Sequence, residues 1–454
     1  MSETTAGAPP RPRPQARGYV LGLLTLVYAF NFVDRQILSI LAPSIANDLG
    51  FEDAGIGLLT GFWFALFYTL LGLPIALLAD RTNRKAVVSA ALALWSGFTF
   101  LSGFVTSFGW LAAARVGVAI GEAGGSPPSH SLLSDLYPAK ERARALGVYS
   151  LGIPFGIMTA FFVSAALSGA ESTNWRLVFF VLGAPGVLLA LVLLFTVREP
   201  RRGQLDTEAA ARATLGEALS QLVRFPSYWA MALGISFASY AGYATSAFII
   251  RFILEAHPGL DLRTVLVVLG VMNATLYAGG TYAGGALADR WSARDGGRGY
   301  GLVGVVSVAV AMPALLVAIW TQSWPVFLVF LGVNLFFGGF YLGPSFSVAQ
   351  NLAPPKARAL STAIFFFVLN LIALGLGPTV TGALSDVIGL GREVAWLPGS
   401  GALAAAVDGG LGSDLGRRWA LSTLAIAYAL AIGFYALAAA RLPRDLARAR
   451  GEAA

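Results

Sequence analysis

The chain contains no cysteine and only two histidines, His130 and His257. That excludes a disulfide framework and a thiolate metal site, and it leaves too little imidazole for a histidine-built one. Charge is scarce too: 12% of residues are Asp, Glu, Lys or Arg, about half the share of a soluble domain. No Ser/His/Asp grouping and no phosphate-cradling loop stands out, so the sequence does not read as an enzyme and implies no cofactor. What is abundant is apolar. Of 454 residues 56% are hydrophobic, and the mean hydropathy is +0.70. The solvent this composition fits is a bilayer, whose core takes about 20 apolar residues per helix.

Twelve apolar spans are predicted, at roughly 18–43, 55–79, 86–107, 110–136, 142–168, 176–197, 228–254, 264–287, 300–321, 324–351, 358–388 and 418–441. Glycine is plentiful at 53 residues, and small residues let helices approach closely in lipid. With the N-terminus in the cytoplasm, the cytoplasmic segments hold 23 of the 31 Lys and Arg residues. That bias orients the chain by the positive-inside rule, with both termini cytoplasmic. It also accounts for the net charge of +7 without a nucleic-acid partner.

The chain repeats itself. "LADRTNRK" at 78–85 returns as "LADRWSARDGGR" at 287–298, and "PAKERAR" at 138–144 returns as "PPKARAL" at 354–360. Two six-span halves in one orientation imply an internal duplication. The expected organisation is a Pro/Arg-rich tail over 1–17, a first bundle over 18–198 and a polar linker over 199–227. A second bundle over 228–441 and a tail over 442–454 complete it. The 214–225 part of the linker reads as a surface amphipathic helix. Residues 389–417 read as a long Gly-rich outer loop.

Two six-helix halves with an Asp-Arg…Arg-Lys loop after the second helix resemble the major facilitator superfamily. The loop here is Asp80-Arg81-Thr82-Asn83-Arg84-Lys85, with Asn83 where the superfamily usually has glycine; the second half keeps Asp289-Arg290. A closer resemblance, to the Spinster family, is carried by four stretches. They are "FNFVDRQILSILAPSI" (30–45), "GLLTGFWFALFYTLLGLPIALLADRTNRK" (57–85), "ARVGVAIGEAGGSPPSHSLLSDLYP" (114–138) and "RARALGVYSLGIPFGI" (142–157). The second half matches mainly at superfamily level. The resemblance implies an all-α major facilitator fold, with twelve transmembrane helices in two halves related by pseudo-twofold symmetry. It implies alternating-access transport of lysolipid-type amphiphiles, such as lysophospholipids or sphingosine 1-phosphate; the Ala/Gly/Arg-rich composition points to a bacterial member, in the inner membrane. It also implies that Asp34, Arg35, Arg115 and Glu122 serve proton sensing and substrate handling.

Charges deep in a bilayer are costly, face protein or water, and pair. The deep acids are Asp34 in span one and Glu122 in span four; the deep bases are Arg35, Arg115 and, nearer the outer end, Arg251. Adjacent helical residues point about 100° apart, so Asp34 and Arg35 need partners elsewhere. Spans one and four both line the cavity of the resembled fold. Cross-pairing is therefore expected, Asp34 with Arg115 and Arg35 with Glu122, or the reverse. Protonating either acid would leave one excess positive charge for an anionic headgroup.

The second-half cavity candidates are Tyr243, Asn273, Asn334, Tyr341 and Asn370, amid aromatics such as Phe336, Phe337 and Phe340. The cytoplasmic gate is expected from Asp80, Arg81, Arg84, Lys85, Asp289 and Arg290, with Asp135 and Glu141 as partners. Pro127-Pro128 is expected to kink span four just below Glu122. His130 reads as a structural histidine or a proton relay. The expected partners are a lysolipid or other amphiphilic anion, protons and membrane lipid, with one chain as the working unit. Small organic anions or drugs are the alternative cargo.

Overall fold

A computed structural model describes residues 17–169, 173–201, 215–353, 358–407 and 409–449. The expected N-terminal tail, up to residue 16, and the middle of the linker lie outside them. The chain crosses back and forth twelve times. In the first half the crossings are Arg17–Leu49; Asp53–Gly57 with Trp63–Arg81; Arg84–Ser102; Phe108–Glu122 with Ser126–Leu136; Ala139–Ser150 with Gly152–Ala166; and Trp175–Thr196. In the second half they are Pro226–Ala256; Leu262–Met272 with Ala278–Arg294; Arg298–Trp320; Trp324–Phe340 with Leu342–Asn351; Arg358–Leu369 with Gly377–Leu390; and Ser413–Ser422 with Leu424–Ala449. Eleven of the described helical runs are long and apolar enough to span a membrane. The fourth crossing falls short because it is broken after Glu122.

Local chemistry sets many of the starts. The Asn83, Asn174 and Asp261 side chains accept main-chain N–H groups of Ala86, Leu177 and Thr264 at 3.1, 3.2 and 2.9 Å. Each satisfies a donor that the first helical turn leaves open. Pro127 and Pro128 begin the second segment of the fourth crossing. There their missing N–H groups cost nothing. The break falls instead on the turn through Ala123, Gly124 and Gly125, so the prolines start a helix rather than kink one.

Among the described residues three crossings carry a π-helical turn: Leu58–Phe62 in the second, Asn273–Tyr277 in the eighth and Asn370–Leu376 in the eleventh. The first and third of these turns meet where the halves touch. Phe62 N–H donates to Thr379 Oγ1 at 3.1 Å, and Thr379 Oγ1 donates to the Gly375 carbonyl at 2.7 Å. A side chain at Gly57 would overlap the backbone of Pro378 and Thr379, so this close approach requires glycine.

Both described ends, Arg17 and Ala449, lie on one side of the bundle, called here the terminal side; the other is the far side. Among the described residues, the hydrogen bonds joining the halves run from the far end to mid-depth, where Ser246 Oγ donates to Gln36 Oε1 at 3.1 Å. The halves are thus closed on the far side. The linker contributes a short helix at Leu215–Leu222. The last helix departs from the expected tail: it runs on to Ala449, because Leu442 and Leu446 stay buried.

Candidate functional site

The first crossing places Asp34 and Arg35 on different faces, as helical geometry demands. Arg35 turns toward the fourth crossing, where its Nε lies 2.9 Å from Glu122 Oε2. The Glu122 side chain is fully buried and that of Arg35 is 14% exposed. Asp34 turns the other way. Its carboxylate accepts the Thr99 hydroxyl from the third crossing. Arg115 Nη1 donates to the main-chain carbonyl of Asp34 at 3.1 Å. Of the two cross-pairs, the Arg35–Glu122 bridge is present as a carboxylate pair. Arg115 reaches the backbone of Asp34 rather than its carboxylate, because Asp34 is directed at Thr99.

Aromatic rings surround these cations. The Arg35 guanidinium lies 4.6 Å from the Tyr68 ring centre, 5.4 Å from Phe32 and 5.5 Å from Phe64. Arg115 lies 5.0 Å from the same Phe64 ring. Such contacts suit a guanidinium that has lost water. Valence is left over. Glu122 Oε1, Arg115 Nε and Asn31 Oδ1 are buried with no hydrogen-bond partner among the described residues. A cluster with open donors and acceptors can take a proton or a polar headgroup.

The second half faces this cluster with little charge. Tyr243 packs against the first half's core around Phe64, which Leu374 of the eleventh crossing joins, and it stands near Arg35. The other second-half candidates are dispersed. Asn273 donates to the Leu269 carbonyl at 2.9 Å within its own helix. Asn334 is tied to the Ala311 carbonyl and the Tyr428 hydroxyl at 3.0 and 3.2 Å, inside the second half. Tyr341 is buried, with its hydroxyl 3.2 Å from Ser239 Oγ. Asn370 is buried in the π turn of the eleventh crossing. Phe337 stacks on Phe340, and Phe336 meets both of them edge-on.

Arg251, grouped by sequence with the cavity bases, lies instead at the far end. Its Nη1 is 2.9 Å from Asp53 Oδ1 and its Nε is 3.4 Å from Glu255 Oε1. Arg417, at the start of the twelfth crossing, pairs with Asp53 at 2.8 Å and also with Glu255. Ser385 Oγ donates to Asp53 Oδ2 at 2.7 Å. Asp386 accepts the main-chain N–H groups of Asp53 and Ala54 at 3.1 and 2.8 Å. Four crossings from both halves are knotted here. The sequence reading found no deep acid in the second half and so passed over Asp386, which is buried. The available signal was an acid inside an apolar span.

On the terminal side, among the described residues, the ion pairs of Arg84 and Glu141 lie on the first-half side. Arg84 bonds Asp135 at 2.5 Å and Glu199 at 2.7 Å. Lys85 Nζ donates to the Leu194 and Val197 carbonyls at 3.0 and 2.8 Å, satisfying the end of the sixth crossing. Glu141 pairs with Arg17 at 3.0 Å. Arg81, Asp289 and Arg290 are exposed; the Asp80 side chain lies outside what is described. His130 is exposed on the second segment of the fourth crossing, 5.1 Å edge-on from Tyr149.

Twelve crossings in two repeated halves, sealed at one end around a buried charge cluster, define a transporter of the major facilitator type. The chain matches the Major Facilitator Superfamily over residues 24–378 and belongs to it. Within it the chain is a Spinster-like member. It is 32% identical to a bacterial homologue of the human lysosomal transporter Spinster, solved inward-facing and unoccupied. That match has a TM-score of 0.83 and covers 96% of this chain and 99% of the other. It is 34% identical to an MFS-type efflux pump of Mycolicibacterium smegmatis, over 90% of this chain and 95% of the relative. It is 26% identical to a sphingosine-1-phosphate transporter of Mus musculus, over 81% of this chain and 69% of the relative.

Proposed function

We propose that the chain carries lysolipid-type anionic amphiphiles across the membrane by alternating access, coupled to protons through Glu122 and Asp34. The observation that carries this reading is the desolvated Arg35–Glu122 bridge with its unused valence. With Glu122 ionised, Arg35 is neutralised internally. A proton on Glu122 releases the Arg35 guanidinium, whose planar fork suits a phosphate or carboxylate. The rings of Phe32, Phe64 and Tyr68 beside it then offer apolar surface to an acyl chain. Loss of the proton restores the bridge and displaces the anion. Asp34 acts one step removed: it fixes the first crossing through Thr99, and its carbonyl holds Arg115.

The far-side knot closes the outer end in this reading. The Asp80-to-Lys85 loop and its second-half counterpart close the terminal end when the far side opens. The terminal side is cytoplasmic by its excess of Arg and Lys, the membrane is a bacterial inner membrane, and one chain is the working unit.

A second cargo, small organic anions, is favoured by one comparison. The chain is 30% identical over 210 residues to a probable galactarate/D-glucarate transporter of Bacillus subtilis. One flux experiment separates the two. Purified protein in proteoliposomes receives a pH gradient and either labelled lysophospholipid or labelled glucarate, with Glu122→Gln and Asp34→Asn beside wild type. Gradient-driven lysophospholipid flux that both variants lose supports the first reading. Flux of glucarate alone moves the cargo to small anions, and gradient-independent flux in wild type removes the proton coupling.

A further inference from the structure

The last helix changes character along a single stripe. Ile426, Leu430 and Leu437 are exposed, at 65%, 44% and 44%. Arg441, Arg444 and Arg448 continue the same stripe. From Leu437 the spacings are four, seven and eleven residues, which at about 100° per residue keep all three within about 40° of it. All three arginines are exposed, whereas Leu442 and Leu446 on the opposite face, and Asp445 to the side, are buried. Leu424–Ala449 has 26 residues, about 39 Å at 1.5 Å per residue, against a hydrocarbon core of about 30 Å. The arginines therefore emerge where the apolar stripe leaves the hydrocarbon, pointing away from the bundle.

A second element adds charge at the same end of the bundle. The turn at Gly296 and Gly297 rests on Pro443 and Leu446, on the other faces of the helix, and puts the exposed Arg294 and Arg298 at the same end of the bundle as the stripe. The neighbouring acids offset this charge only in part. Asp445 is turned inward and accepts the Ser227 N–H and hydroxyl at 3.0 and 2.6 Å. Asp295 is exposed on the turn. None of the five arginines makes an ion pair among the described residues.

We propose that this arginine stripe is a docking surface for the headgroups of anionic phospholipids in the terminal-side leaflet. The apolar half of the stripe lies against acyl chains, and the arginines meet the phosphates at the depth where those chains end. Attraction of this kind is electrostatic, so it reads lipid charge rather than headgroup shape. The proposal needs only that the chain spans a membrane; it does not depend on the transported cargo.

The test uses full-length protein in neutral detergent, with thermal unfolding followed as phosphatidylglycerol or phosphatidylcholine is added. Phosphatidylglycerol is expected to raise the unfolding midpoint well beyond phosphatidylcholine. The concentration giving half of that rise should increase about fivefold for each arginine replaced by glutamine, from about 1 kcal/mol per basic residue. Arg441→Lys with Arg444→Lys and Arg448→Lys should keep the effect, and about 0.5 M salt should suppress it. If the glutamine variant fails to fold, the lysine variant and the salt series decide. An unchanged phosphatidylglycerol effect in the glutamine variant overturns the proposal. So does loss of the effect in the lysine variant, or its survival in high salt. An acidic peptide that binds while the lipid does not would assign the surface to a protein partner and overturn it too.

Discussion

Arg417 Nε lies 2.8 Å from Asp53 Oδ2, and both side chains are 2% exposed. The first residue belongs to the twelfth crossing and the second to the start of the second, so the pair joins the two halves. Asp53 also holds Arg251 and Ser385, which makes it the centre of the far-side knot.

Breaking one side of a buried ion pair costs about 3–5 kcal/mol. In Arg417→Gln the part of that loss that comes from Asp53 falls only on states closed at the far side. The expected result is a population shift toward far-side opening, not general unfolding. The chain has no cysteine, so a single cysteine introduced on the far side of the cavity reports it directly. Its labelling rate by a membrane-impermeant thiol reagent should rise at least tenfold in Arg417→Gln. Equal rates would show that the knot does not hold the far side shut.

Asp386 caps a helix that belongs to the other half. Asp386→Asn keeps one acceptor oxygen and should be mild, whereas Asp386→Ala should cost about 1–2 kcal/mol of stability. Thermal unfolding in detergent ranks the three proteins. A harmless alanine variant would remove the cap from the account of how the halves close.

In the proposed coupling, Glu122→Gln should hold the site in a state resembling the protonated one, with the Arg35 charge no longer neutralised. Substrate binding should lose its pH dependence, while the affinity seen at low pH is retained. Binding measured across pH 5 to 8, at fixed salt, checks this. A binding curve that still follows pH in the variant would move the proton site elsewhere.

Phe64 lies beneath two guanidiniums, those of Arg35 and Arg115. Phe64→Leu keeps an apolar filler but removes the ring quadrupole, worth about 0.5–2 kcal/mol per contact. A rise of about three- to thirtyfold in the Kd for substrate is expected. Phe64→Tyr should stay near wild type. Equal affinities in Phe64→Leu and wild type would leave the ring with a packing role alone.

Much of this was legible in the sequence, because the bilayer makes apolar length and charge placement unusually informative. The twelve crossings, their duplication and the isolation of Asp34, Arg35, Arg115 and Glu122 all follow from where apolar runs start and where charge interrupts them. The direction of Asp34 was not legible. A sequence fixes that Asp34 and Arg35 diverge, but Thr99 on a third helix decides where the carboxylate goes. The far-side knot was hidden for a related reason. Asp53, Glu255, Asp386 and Arg417 each lie near the end of a span, where a charge reads as solvated. They come together only when four crossings from both halves converge. The end of the last helix was hidden because Arg441, Arg444 and Arg448 look like a soluble tail. Leu442 and Leu446 on the opposite face are buried all the same.

The cap on the second crossing has a consequence for assembly. That helix begins on main-chain donors satisfied by a carboxylate 332 positions later in the chain. The first half therefore cannot complete its own folding during synthesis; its last detail waits for the eleventh helix. Whenever the far side opens, the same donors must be handed to water and later taken back. In the proposed alternating-access cycle a single helix end is thus repeatedly frayed and re-formed, and each turn of the cycle replays the final step of folding.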